Sequence, residues 1–438
     1  MENAVPFIPW LGGLLGFLCT IAALRANRKK RLIENLPTSK TTGVFIGLVE
    51  LKGTAESEAP LVSFLAVQPT VNYAWRVEEH WQRTVTETYT DSKGDTKTRT
   101  RTESGWTTVA SGGQAQPFYV KDDAGAVLVR PEGAKLEPAR IFSEYCGMSD
   151  PLYYEKGPAN SVSNSTHRRH FIENAIRLHE PIYVVGKARE RQEIVAPEIA
   201  KDETAAMFLI STKSEEQVTS GYRTATWLWS IAALILSVGF FVGWDAANHR
   251  PPENRIPIYF AVAGVLAAIW SIGWVWTVFN SLIDLRNRVR QGWAQVDIQL
   301  KRRHDLIPTL VNIVKGLKDH ERTVQTEVTH IRSQLNATEP GKQGDDFHGV
   351  AHSLIAIQEN YPELKTNEQF QSLQNNLSDT ENRIALARDY FNTIATQYNT
   401  RIEQVPDRFV AQLGGLKPRA LLNAEDFERK SVKFSFAE

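Results

Sequence analysis

His304 beside Asp305, at the end of the basic run Lys301-Arg302-Arg303, invites an active-site reading of the acid–base kind. The plainer reading is a solvated helix face that pairs with acids on a neighbouring helix. Glu327 and His330 form a Glu-x-x-His, and His348 and His352 form a His-x-x-x-His. A di-metal bundle needs two Glu-x-x-His motifs plus a Glu from each of two other helices. The motif is not repeated, and the histidine pair follows a Gly/Asp-rich break, so surface helix residues are expected. His167, His170 and His179 are scattered through a loop-rich stretch. Cys19 and Cys146 are the only two cysteines, which excludes a disulfide framework and a zinc site built mainly from cysteines. No catalytic residue, metal site or cofactor is expected.

The elements that would position such residues are set by composition first. Lys plus Arg is 50 and Asp plus Glu is 50, so the formal charge is zero. A nucleic-acid binder would show a basic excess. Hydrophobic content is 42%, unevenly distributed, and several of the 11 Trp lie near apolar runs.

About 20 apolar residues in a helix cross a bilayer. Three stretches qualify: 5–24, 227–244 and 256–279. The first is read as a retained span rather than a signal peptide, because its basic residues (Arg25, Arg28, Lys29, Lys30, Arg31) follow the apolar run instead of preceding it. Trp227, Trp229 and Trp244 bracket the second, and Tyr259, Trp274 and Trp276 lie near the ends of the third, as interfacial aromatics do. A short polar turn from Asp245 to Arg255 makes the last two a transmembrane hairpin. No Lys, Arg, Asp or Glu lies well inside a span, which disfavours a transporter.

Three spans force the segments 25–226 and 280–438 onto one side. The flanks after spans one and three are rich in Lys and Arg, while the hairpin turn has two and the residues before span one have none. By the positive-inside rule the N-terminus is expected outside and both soluble domains in the cytoplasm.

Residues 35–220 read as β-rich, with short alternating runs such as Val71–Val77, Phe118–Lys121, Ala126–Val129 and Ile182–Ala188. A small barrel or sandwich is expected. Between Thr84 and Thr108, threonine recurs at every second position: 84, 86, 88 and 90, then 96, 98, 100 and 102. Two readings compete: a long polar two-stranded ribbon with Ser92-Lys93-Gly94-Asp95 at its tip, or a disordered loop. A ribbon polar on both faces needs a partner. The runs Tyr73–Trp81, Pro117–Gly125, Glu180–Ala188 and Phe208–Ser211 resemble the GIDE-type "beside a membrane" domain. In relatives of that family a RING finger follows and carries ubiquitin-ligase activity. A RING needs about eight Cys/His ligands for its zincs, and the two cysteines here lie far apart. The resemblance therefore implies the fold without the ligase.

From residue 280 the apolar period becomes helical: Val289, Trp293, Val296, Leu300, Ile307, Val311 and Val314. Trp293 on this seam is expected in the core. Nothing breaks the chain between Trp274 and Gly292, so the third span should run on into this helix, with a kink at Pro308. After a break at Glu339–Asp346 and a short helix near Ala351–Gln358, a last helix carries Phe370, Leu373, Leu377, Ile384, Ala387, Phe391, Ile394, Tyr398 and Val405, ended by Pro406. An antiparallel bundle follows. On such a helix Lys301 lies about 20 residues past Phe279, roughly 30 Å from the bilayer, so it is set for packing or a partner rather than headgroups. The runs Leu285–Val289, Trp293–Pro308, Glu359–Lys365 and Thr380–Ala385 resemble the LemA family, which implies a membrane anchor and a helical bundle but no reaction.

The expectation is thus a multi-domain α+β membrane protein: three transmembrane helices, a barrel- or sandwich-like domain with a polar ribbon, and an antiparallel helical bundle. Its partners would be the lipid bilayer, further copies of itself as a homo-oligomer and an unidentified protein, with no nucleic acid. Gly12 and Gly16, like Gly239 and Gly243, have the small-x-x-x-small spacing that serves either self-association or packing within the chain. The leading function is a self-assembling scaffold or adaptor of the bacterial inner membrane. The rivals are an envelope-facing binding module and a ligase-like or metal-dependent enzyme.

Overall fold

The computed structural model describes residues 8–90, 96–191, 196–248, 255–317 and 368–422. It divides into two compact units, Thr38–Val218 and the combination of Met1–Pro37 with Thr219–Glu438.

The first unit is built of β-strands. Alternation drives their burial: Val49 and Leu51 in β2 (Gly47–Glu56), Phe118 and Val120 in β6 (Phe118–Lys121), Val127 and Val129 in β7 (Ala126–Val129), and Ile182 and Val184 in β11 (Pro181–Glu190) all point inward. β2 pairs with β6, β6 with β7, β7 with β12 (Pro197–Ala200), β12 with β11, and β11 returns to β2. The ring is closed, giving a small barrel with no free edge among these strands. Gly53 permits the close approach at the β2–β6 crossing, since a Cβ there would fall 2.3 Å from the Lys121 carbonyl oxygen. The chain from Gly43 does not enter β2 directly; residues Thr41–Gly43 form a 3-10 turn and β2 starts at Gly47.

A second sheet flanks the barrel strands in sequence: β3 (Leu61–Val62), β4 (Pro69–Thr90), β5 (Thr96–Ala115), β9 (Ala139–Gly147) and β10 (Ser165–Arg177). β4 lies between β10 on one side and β3 and β5 on the other. Its inner face packs Val77, Cys146, Phe171 and Leu65 against Tyr153 of the short helix α2 (Leu152–Glu155). At the centre of this face Arg169 and Glu79 are fully buried and paired at 3.0 Å. The same guanidinium donates to the carbonyls of Tyr153, Pro158 and Asn160, and lies over the Tyr153 ring. Ser165 also donates to Glu79. Arg169 thereby fixes the loop 156–164 to β10.

The second unit is helical. α1 (Ile8–Glu34) covers the first apolar stretch from residue 8 onward and runs past its end, and α3 (Glu215–Ala247) and α4 (Ile256–Leu317) contain and overrun the other two; residues 5–7 lie outside the described residues. All three are long and apolar enough to cross a membrane. α1 and α3 run antiparallel: a Cβ on Gly12 would meet Phe240, and one on Gly16 would meet Ser237. Trp270 Nε1 donates to Ser230 Oγ at 3.2 Å, and Tyr259 donates to Asp245 at 2.9 Å, so α3 and α4 are antiparallel too. Gly273 meets Leu24, and Asn35 Nδ2 donates to Ser281 Oγ at 2.7 Å, so α1 and α4 run in the same direction.

α4 is continuous for 62 residues, as the uninterrupted sequence requires, and it passes through Pro308 as one helix. α5 (Glu368–Glu403) lies against it with Leu373, Leu377, Ile384, Ala387, Phe391, Ile394 and Tyr398 buried. Trp293 is half-buried and meets Phe391 edge-on at 5.9 Å. Val405 departs from the expected seam: it is 68% exposed. α5 ends at Glu403 and the chain turns at Pro406 into a short helix, α6 (Asp407–Leu413), so Ile402 ends the buried row instead. The expected short helix near 351–358 and the Glu339–Asp346 break lie outside the described residues.

Removing one partner from a buried ion pair leaves an uncompensated charge. Arg169→Met should cost about 3–5 kcal/mol, read as a hundredfold or greater loss of amide protection in β10 by hydrogen exchange of the detergent-solubilised chain. Pairing it with Glu79→Met should restore part of that protection, since the carbonyls of Tyr153, Pro158 and Asn160 still lose their donor.

Candidate interaction surface

β4 and β5 stay paired from Asn72↔Ala115 to Thr90↔Thr96, but β10 accompanies β4 only as far as Trp81. Residues 82–90 and 96–104 therefore form the two-stranded ribbon, about 30 Å long at ~3.3 Å per residue. Of the two readings of the threonine-rich stretch, the ribbon is the one observed; its tip, 91–95, lies outside the described residues. The register sets Thr84, Thr86, Thr88 and Thr90 directly opposite Thr102, Thr100, Thr98 and Thr96. The other face carries Arg83 opposite Glu103, bonded at 2.8 Å, with Glu87 opposite Arg99.

The threonine face leads, by strand alternation, into an aromatic ledge at the ribbon's root. His80 stands opposite Trp106, and across the sheet Glu78, His170 and Tyr145 stand in one row. Tyr145 stacks on His170 at 3.9 Å, and Trp106 meets Tyr145 edge-on at 5.6 Å and His80 at 5.0 Å. Trp106 and Tyr145 are 41% and 62% exposed, whereas His170 is buried beneath them. His170 Nε2 lies 3.0 Å from Ser143 Oγ, and His80 Nδ1 lies 2.9 Å from Thr166 Oγ1. Burial lowers the His170 pKa; Glu78 opposes this, while Arg140 and Arg76 reinforce it. The ring is thus held neutral at pH 7.

This surface can stack and hydrogen-bond, and its Ser143 hydroxyl is paired with His170. Cys146 is on the opposite, inner face, and burial pushes its thiol up to about 11. His167 is exposed on β10, and His179 is exposed and bonded to Glu56 at 2.7 Å. The stretch read as loop-rich is in fact strand β10 for His167 and His170, and with His179 beyond its end the three histidines do not converge; among the described residues no group of three His, Cys, Asp or Glu side chains could hold a metal. Lys301, Arg302 and Asp305 are exposed on α4. Glu327, His330, His348 and His352 lie outside the described residues. Trp106 and Tyr145 escaped the sequence reading because isolated aromatics in strands carry no spacing signal; only the register brings them together.

In the helical unit, Gly12 and Gly16 are used in packing between α1 and α3, while Gly239 and Gly243 meet nothing within 4 Å. The glycine spacing thus serves packing within the chain in α1 and leaves an open strip on α3.

These features define a class: an α+β protein with a small β-barrel and three helices able to cross a bilayer. A LemA family model matches residues 292–436, and a GIDE model, described as E3 ubiquitin ligase, matches residues 86–243. The chain belongs to the LemA family, joined to a GIDE-type region. Protein LemA of Metamycoplasma hominis is 24% identical over 208 residues, covering 45% of this chain and 94% of that protein. Magnetosome protein MamQ of Magnetospirillum gryphiswaldense is 36% identical over 205 residues, covering 40% and 74%. Magnetosome protein MamQ 1 of Paramagnetospirillum magneticum is 20% identical over 210 residues, covering 40% and 75%.

The neutral His170 gives a signed pH dependence. Its folded pKa lies below the unfolded value of about 6.5, so below that pH the unfolded chain binds more protons and folding loses free energy. Protection of the β9 and β10 amides, corrected for intrinsic exchange, should be full above that pH and fall as pH drops toward 5. His170→Gln should flatten this step; an unchanged step would assign it to other groups.

Proposed function

We propose that this protein is a non-catalytic, self-assembling scaffold or adaptor of the bacterial inner membrane, with its N-terminus outside and both soluble regions in the cytoplasm. The up-down-up order of α1, α3 and α4 supports the odd number of crossings. The basic residues after α1's apolar run support the orientation.

The observation that carries the assembly reading is the β4–β5 ribbon. Beyond Trp81 it has no third strand among the described residues, and β5 has no strand on its outer side. A two-stranded ribbon is at best marginally stable in water, and a free edge is a template for another strand. A second copy of the same chain supplies one. The bare edge, the threonine columns and the ledge form one surface for that contact.

The GIDE match does not extend this reading to ligase chemistry. Its description belongs to the family, and the two cysteines of this sequence cannot furnish the zinc ligands a RING requires.

Light scattering on the detergent-solubilised full chain tests the proposal. The expected particle holds several copies, and replacing Thr84–Thr102 by a tight Asn-Gly turn should reduce the copy number without unfolding the barrel. A strict monomer in the unaltered chain would overturn the assembly reading; an unaltered copy number after the replacement would remove the ribbon from it.

A further inference from the structure

We propose that α6 is an interfacial foot: a short helix whose apolar side enters the cytoplasmic boundary of the bilayer, flanked by cations that meet anionic headgroups. The inference rests on the membrane-spanning reading of α1, α3 and α4.

Three observations converge on it. Asp407, the first residue of α6, is buried and accepts from both Arg31 Nη1 (2.7 Å) and Arg31 Nη2 (3.1 Å). Arg31 lies six residues past Arg25, the first charge after span one. At the other end of α6, a Cβ on Gly414 would fall 2.7 Å from the Phe279 ring. About 20 helical residues span ~30 Å, so a crossing that begins at Ile256 is complete near Trp276, and Phe279 stands just beyond it. α6 is therefore pinned at both ends to the level where the spans leave the hydrocarbon.

The outward side of α6 is apolar. Phe409 and Leu413, one turn apart, are 60% and 87% exposed, and Val405, in the turn before α6, is 68% exposed. Val410 and Ala411 are buried on the other side. At its C-terminal end α6 meets α4, with Gly414 against the Phe279 ring, and on α4 before Phe279 the side chains of Trp276 and Ile272 are each 71% exposed. In water two such large apolar side chains at neighbouring positions would be a liability; at the boundary of a bilayer they find an apolar medium. Arg408, Lys417 and Arg419 are exposed around it. The backbone of that basic tail is held in place, with the Lys417 and Arg419 carbonyls accepting from Tyr398 Oη (3.2 Å) and Asn399 Nδ2 (2.8 Å). An apolar side rimmed by cations is the pattern of a helix lying in the interface, and cations at that level attract anionic lipid.

The test is the depth of spin labels in proteoliposomes of phosphatidylethanolamine and phosphatidylglycerol. Cys19 and Cys146 are first replaced by Ala, and single labels are placed by Phe409→Cys, Leu413→Cys, Glu403→Cys and Ile272→Cys in the full chain. Collisions with dissolved oxygen should exceed those with a water-soluble nickel chelate at 409 and 413, and the order should reverse at 403. Oxygen-favoured collisions at 272 with nickel-favoured collisions at 413 would overturn the foot and leave the spans standing. Nickel-favoured collisions at 272 would overturn the spans, and the foot with them. Shielding from both reagents at 409 and 413 would mean that protein, as in a second copy, covers the helix, and would also overturn the lipid assignment.

Discussion

A guanidinium near the start of the chain and a carboxylate near its end, 376 residues apart, meet in the helical unit as the buried pair Arg31–Asp407. Arg401 stands 3.7 Å from the same carboxylate and pairs with Glu34 at 2.9 Å. Such a cluster is costly to desolvate and gains stability only when each charge is met; its clearer effect is on register. With Arg31 fixed on Asp407, and Asn35 on Ser281, α1 cannot slide along α4, and the turn after α5 cannot leave the helices that carry the apolar stretches. The position of α6 beside the end of α1 follows from that lock.

The β unit uses buried charge in the same way. Glu173 accepts from the backbone N–H groups of Phe64, Leu65 and Ala66, and so ties the turn before β4 to β10. Glu198 sits between Arg130 and Arg189 at 2.8 Å each, and burial pushes its pKa up less than those two guanidiniums pull it down. Glu50 is the exception in direction: burial raises its pKa, and the Thr38 and Tyr183 hydroxyls offset that only in part. Even there the carboxylate is surrounded by donors on β1 (Thr38–Ser39) and β11 rather than opened to a cleft. A catalytic carboxylate needs a face toward its substrate. These carboxylates spend their hydrogen-bonding capacity on the fold.

Patterns with a period were readable before the structure. The apolar stretches of α1, α3 and α4, the seam Leu373–Tyr398 and the alternating strands of the barrel each repeat a local geometry, so the sequence carries them in its spacing. The alternating threonines likewise marked a ribbon, though not the pairing that sets Thr84 on Thr102 and His80 on Trp106. Barrel closure depends on β11 finding β2 more than a hundred residues away, which no local spacing encodes. The seam overran its end at Val405, because the helix ends at Glu403 rather than at Pro406 itself, and the turn before Pro406 takes in Val405. The same blindness hid the ledge and the foot: both are made of side chains that only tertiary contacts bring together.

That division follows from what each kind of contact can encode. A helix that crosses a bilayer is specified by its own composition, since lipid asks every position the same question. A surface built from several segments is specified by two or more of them at once, as Trp106 with Tyr145, or Gly414 with Phe279. The long α4 joins the two kinds of information in one helix: its first part is apolar enough to cross a membrane and its later part packs on α5, with no Gly or Pro between Trp274 and Gly292 to uncouple them. From Trp274 to Trp293 no proline interrupts the backbone hydrogen bonds of α4, so the part that packs on α5 is joined without a break to the level of Phe279, where Gly414 meets it. A rod of that kind suits a scaffold, whose task is to fix the distance and angle between what it holds and the surface it stands on.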